Sequence, residues 1–156
     1  MKRLTRSARR RRPGFSLIEL MTVLAVLALL ALIAIPRYRD VKRRGYTAAI
    51  AADFNTVRLA TFNYFADNNT YPPDGSLGSV PPALIPYLPQ NFAFSNSHYE
   101  LDYDVWPSPS NPTQMIVGVT VTSNDQQLVN MVARAIQTGG MGLNLGNGYT
   151  FIFAGL

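Results

Sequence analysis

Between Phe15 and Ile35 the chain runs for 21 residues with a single ionisable side chain, Glu19. As a helix rising about 1.5 Å per residue, this stretch is roughly 31 Å long, the thickness of a bilayer's hydrocarbon core. A cleavable secretory signal has an apolar core of about 7–15 residues followed by small residues at its cut. This run is longer and closes on Leu32-Ile33-Ala34-Ile35-Pro36. A plain signal anchor fits the length but leaves Glu19 without a purpose. A carboxylate in an apolar phase must stay wet at the interface, take up a proton or meet a cation. Four residues past Phe15, Glu19 is compatible with the wet interface and with a positive charge supplied from elsewhere.

The formal charge of +5 and pI near 9.8 suggest an anionic partner only until their distribution is read. Seven of the fourteen Lys and Arg residues precede Phe15, and the remainder of the chain carries a formal −2. A second basic cluster, Arg37, Arg39, Lys42, Arg43 and Arg44, follows the apolar run. It reads as a band at the headgroup surface, with about 1 kcal/mol of lipid attraction per basic residue at most. Asp40 interrupts it and no basic-aromatic groove accompanies it, so nucleic acid is disfavoured as a partner. With 156 residues there is room for one modest folded head, and without cysteine that head has no disulfide, thiolate nucleophile or cysteine-held metal.

The segment Arg12-Pro13-Gly14-Phe15-Ser16-Leu17-Ile18-Glu19-Leu20 resembles the type III signal of type IV prepilins and type II secretion pseudopilins. There a short basic leader ends in Gly, followed by Phe, a small polar residue, aliphatics and Glu. The resemblance implies that a prepilin peptidase cuts between Gly14 and Phe15 and methylates the new Phe15 amine. It also implies a partner for Glu19, the amino terminus of a neighbouring subunit, so that Phe15 and Glu19 guide filament assembly. A pairing of this kind in a low-dielectric core would set register as well as attraction. Charge alone favours a cytoplasmic leader only by seven basic residues to five. The cleavage motif places it there, with the head exported and an inner-membrane or assembled-filament location. Pro36 removes a helix hydrogen bond and is expected to kink or loosen the helix.

The expected organisation is a cleaved leader over 1–14, a transmembrane and filament-core helix over 15–35, the exported amphipathic half of that helix over 36–66, and a globular head over 67–156. Its fold class is α+β and pilin-like, a long helix packed on a small antiparallel sheet. Ile50, Phe54, Val57, Thr61 and Tyr64 recur at helical spacing and predict the buried face, flanked by Ala49, Ala60 and Phe65. Asp67-Asn68-Asn69 and Pro72-Pro73 predict its end. Residues 79–89 read as a short helical turn.

Strands are expected over 99–106, 114–122 and 149–153. In the first, Tyr99, Leu101, Tyr103 and Val105 share one face and Glu100, Asp102 and Asp104 the other. Asn124 or Asp125 is expected to cap a helix through Ile136, with Leu128, Val129, Val132, Ala135 and Ile136 buried and Gly139-Gly140 ending it. The glycine-rich residues 139–148 read as a mobile loop.

The acidic row Glu100, Asp102 and Asp104 is the one candidate for a metal, calcium, though alternate residues on a straight strand diverge where calcium wants six to eight converging oxygens. No cofactor is otherwise expected. His98, the single histidine, merely adjoins Ser97 in sequence, and a nucleophile-base pair needs spatial partners. The reading is therefore a filament subunit and not an enzyme, a secretion pseudopilin or minor pilin. Its implied partners are other copies or related subunits, the peptidase, an assembly platform and an ATPase. An uncut, membrane-anchored receptor or adhesin is the alternative.

Overall fold

The computed structural model describes residues 14–136 and 141–155. Along the chain lie α1 (Leu17–Asn68), a 3-10 turn (Pro82–Tyr87), β1 (Glu100–Pro107), β2 (Met115–Thr122), α2 (Gln126–Ile136), β3 (Met141–Asn144) and β4 (Gly148–Ala154). The leader up to Pro13 and the Gly139-Gly140 stop lie outside the described residues. Two units meet at Arg39 and Asp40. In the first, the side chains from Leu17 to Ile35 are exposed on all sides of the helix, Ala31 alone being partly covered. This stretch is long and apolar enough to cross a membrane.

The second unit is the expected α+β arrangement. Its sheet is wholly antiparallel, in the order β1-β2-β4-β3. Ile50, Phe54, Val57, Ala60 and Thr61 of α1 are buried in one core with Leu101, Tyr103, Val117, Val119, Val121, Tyr149 and Phe151 of the sheet. Phe54 stacks on Phe151 at 6.0 Å between ring centroids, and Phe62 meets Phe153 edge-on. The period-four stripe thus meets the period-two face of the strands, as the patterns require. Tyr64 and Phe65 are partly buried, while Ala49 stays exposed.

The helix expected to end at Ala66 continues to Asn68. Asn68 donates its side-chain amide to the Tyr64 carbonyl, and Asn69, at φ 54°, supplies the left-handed residue that stops the turn, its amide bonded to the Phe65 carbonyl. The following loop closes the outer edge of β1. Gly75 and Gly78 donate to the carbonyls of Tyr103 and Leu101, Leu101 donates to the Phe94 carbonyl, and the Val105 amide donates to Asp74 Oδ1.

Two expectations need correction. Within the stretch read as a mobile loop, Met141–Asn144 form β3, paired with β4 from Met141↔Ile152 to Asn144↔Tyr149. Gly142 makes the pairing possible, since a Cβ there would collide with the Tyr149 hydroxyl. In α2 the buried stripe is centred on Val129 and Val132, which turns Ala133 inward and leaves Ala135 exposed. Asp125 is the cap, its Oδ1 accepting from the amides of Gln127 and Leu128 at 3.1 and 3.3 Å.

Candidate functional site

The residues singled out at the amino end lie on the first turn of α1. Gly14 precedes the helix with open space around its α-carbon, and Phe15 is 75% exposed. The scissile bond inferred from the sequence therefore lies in non-helical backbone. Ser16 caps the helix: its Oγ accepts from the Glu19 amide at 3.2 Å, and its carbonyl accepts from Leu20. The Ser16-Leu17-Ile18-Glu19 spacing is that of a capping box, a signal the motif reading passed over. Glu19 falls in the first turn, where the helix dipole favours a negative charge. Its side chain forms no ion pair among the described residues. Pro36 lies within α1.

The second basic cluster is not one uniform band. Arg43 is taken up by the fold: its Nε donates to Asp125 Oδ2 at 2.7 Å, and its Nη1 lies 3.6 Å from Asp40. The Arg43 hydrogen bond holds the Asp125 carboxyl below its ordinary range, aided by the two helix-capping amides. One carboxylate thus caps α2 and ties it to α1. Lys42 places its ammonium 5.7 Å from the centre of the Tyr46 ring, and Tyr46 packs against His98 at 4.2 Å. Arg43–Asp125 spans 82 positions and has no local sequence signal.

The acidic row shares a sheet face as expected, yet its members have separate attachments. Glu100 Oε1 accepts from Ser95 Oγ at 3.1 Å, whereas Asp104 Oδ2 accepts from Thr120 Oγ1 at 2.5 Å. Asp102 is pushed up to about 6 by burial first, and then by the neighbouring charges of Asp104 and Asp74. Among the described residues no three His, Cys, Asp or Glu side chains converge as metal ligands, so Glu100, Asp102 and Asp104 are not gathered into the curved shell calcium needs.

Residues 9–35 match the family model for the prokaryotic N-terminal methylation motif, the signature of type IV pilins and pseudopilins. No curated protein and no solved structure matches the chain. The motif supports a type IV pilin-like or pseudopilin subunit, anchored in a membrane by its apolar helix and assembled with other such subunits.

Proposed function

We propose that this chain is a structural filament subunit, most consistent with a type II secretion pseudopilin or minor pilin, that a prepilin peptidase matures between Gly14 and Phe15. The observation that carries the reading is the order of parts: a methylation motif over 9–35, an apolar helix directly after the cut, and an α+β domain beyond it. Cleavage on the cytoplasmic side would remove the leader and retain the membrane helix. The Phe15 amine, methylated, would then face Glu19 of a neighbouring copy. Ser16 gives Glu19 a second task, since the same side chain stands on the capped first turn and complements its dipole.

The role is assembly, not turnover. Membrane-stored subunits would exchange lipid for one another's apolar helices, driven by an assembly ATPase and a membrane platform in the inner membrane, and carry their heads into the periplasm or beyond the cell. The absence of a cysteine pair speaks for a pseudopilin or minor pilin over pilins whose heads carry a disulfide-closed loop.

Intact-mass analysis of the protein produced with and without a prepilin peptidase tests the reading. Loss of Met1 to Gly14 plus one methyl group, only with the peptidase, is the expected result. A chain uncut in both would replace the filament subunit with a membrane-anchored receptor.

A further inference from the structure

The sheet face turned away from α1 carries a cavity of about 390 Å³. Its floor is a row of paired residues, Asp102↔Thr120, Thr120↔Thr150 and Thr150↔Leu143, running across all four strands. Asp104 and Trp106 complete one wall and Leu145 stands with Leu143 on the other. Trp106 owes its position to Gly118, where a Cβ would stand 3.2 Å from the indole Cη2 and 3.2 Å from Thr150 Cγ2. The missing side chain lets the ring lie over the sheet beside the two carboxylates.

The polar groups of the cavity are mostly acceptors. Thr120 gives its proton to Asp104, and Thr150 lies 2.8 Å from the Thr120 oxygen, placed to donate into it. Both hydroxyl protons are then directed along this relay. Asp102 Oδ1 is buried and has no hydrogen-bond partner among the described residues. Every Lys and Arg among those residues, Arg37, Arg39, Lys42, Arg43, Arg44, Arg58 and Arg134, lies on α1 or α2. The sheet supplies no countercharge of its own.

We infer that this cavity binds a small organic cation, an alkylammonium or alkylguanidinium, with its head on Asp102 and Asp104 and its stem between the Trp106 indole and the two leucines. A carboxylate pair accepts charge-assisted hydrogen bonds from such a head, and an indole face attracts it further. The apolar wall favours an alkyl stem, and the volume lies within the range of small-molecule sites. A metal ion finds two carboxylates here and no third acidic ligand. The crowding of Asp102 by Asp104 and Asp74, described above, is the repulsion that a bound cation relieves. The inference stands whether or not the amino end is processed.

Trp106 is the chain's single tryptophan, so its fluorescence reports on this cavity. The full chain in detergent micelles at pH 7.5 is titrated with n-butylguanidinium chloride, with uncharged n-butylurea and calcium chloride as parallel titrants. A saturable change confined to the guanidinium is expected, with its midpoint raised about tenfold or more by Asp102→Asn, in line with the loss of a charged hydrogen bond. Glu100→Gln, altering an acid outside the cavity, should leave that midpoint in place. The inference fails if n-butylurea or calcium reproduces the change, if no titrant saturates, or if Asp102→Asn binds as the parent does while retaining its thermal transition.

Discussion

The two halves of α1 show how differently a helix can use apolar residues. From Leu17 to Ile35 they occupy all sides and lie exposed in the monomer. From Thr47 to Thr61 they form a stripe, with Arg58 and Leu59 off the buried face and Ile50, Phe54 and Val57 inside. The first half is specified by how much apolar surface it has, so one leucine there can replace another. The second is specified by where that surface points, so each buried position has its own neighbours.

Substitutions can break or sharpen this contrast. The largest effect is expected at Glu19: under the proposed function, Glu19→Ala inserts and is cleaved but is absent from filaments, as scored by shear-released fractions. Normal incorporation would remove Glu19 from assembly. Next comes Phe54→Ala, expected to lose about 3–5 kcal/mol in denaturant unfolding followed by Trp106 fluorescence. Leu24→Ala should change the same transition by no more than about 0.5 kcal/mol; equal losses would erase the distinction between the halves. Gly142→Ala should lose about 1–3 kcal/mol by forcing Tyr149 aside, and an unchanged midpoint would show that β3 yields freely.

Smaller effects are electrostatic. Arg43→Ala is expected to lose about 1 kcal/mol or less at pH 7, given the partial exposure of both partners. Because the Asp125 carboxyl is held below its unfolded value of 3.8, its contribution is present above that pH and lost as pH falls through the folded value. Parent and variant midpoints should therefore converge in acid, and a gap that persists there would assign Arg43 to packing. Asp102 has the opposite sign. Raised to about 6, its ionisation opposes folding fully above pH 6 and not at all well below 3.8. Asp102→Asn should stabilise the fold by about 1 kcal/mol at pH 7.5, its carboxyl being only partly buried, and the gain should vanish by pH 3. A gain independent of pH would trace it to packing.

How far these features were legible follows from how local they are. The β1 faces and the α1 stripe repeat at fixed intervals over many residues, so Leu101, Tyr103, Phe54 and Val57 were placed from spacing alone. β3 offers only Met-Gly-Leu-Asn, and its pairing depends on Tyr149 passing over Gly142 from the next strand. The Ala135 error is a rotation: leucine and valines define a stripe, but which small residue flanks it inside is decided by what α2 packs on. At the amino end, Ser16 and Glu19 were visible as part of a processing motif, and their helix-capping geometry lay in the same four letters. Arg43 and Asp125 were separately visible, one as a membrane-facing cation and the other as a cap. Nothing short of the fold joins them.

The two rims of the sheet also have unequal prospects. Beside β1 the backbone groups of Leu101, Tyr103 and Val105 are already taken by residues 74–78 and 94, whereas β3 has no strand on its far side among the described residues. A sheet sealed along one rim can accept an added strand only at the other. Two such sheets joining rim to rim would exhaust each other's free edge, forming a closed pair that cannot propagate as a cross-β ribbon. Edge-to-edge strand pairing of the described sheet thus closes on itself and does not by itself build a long polymer of this chain.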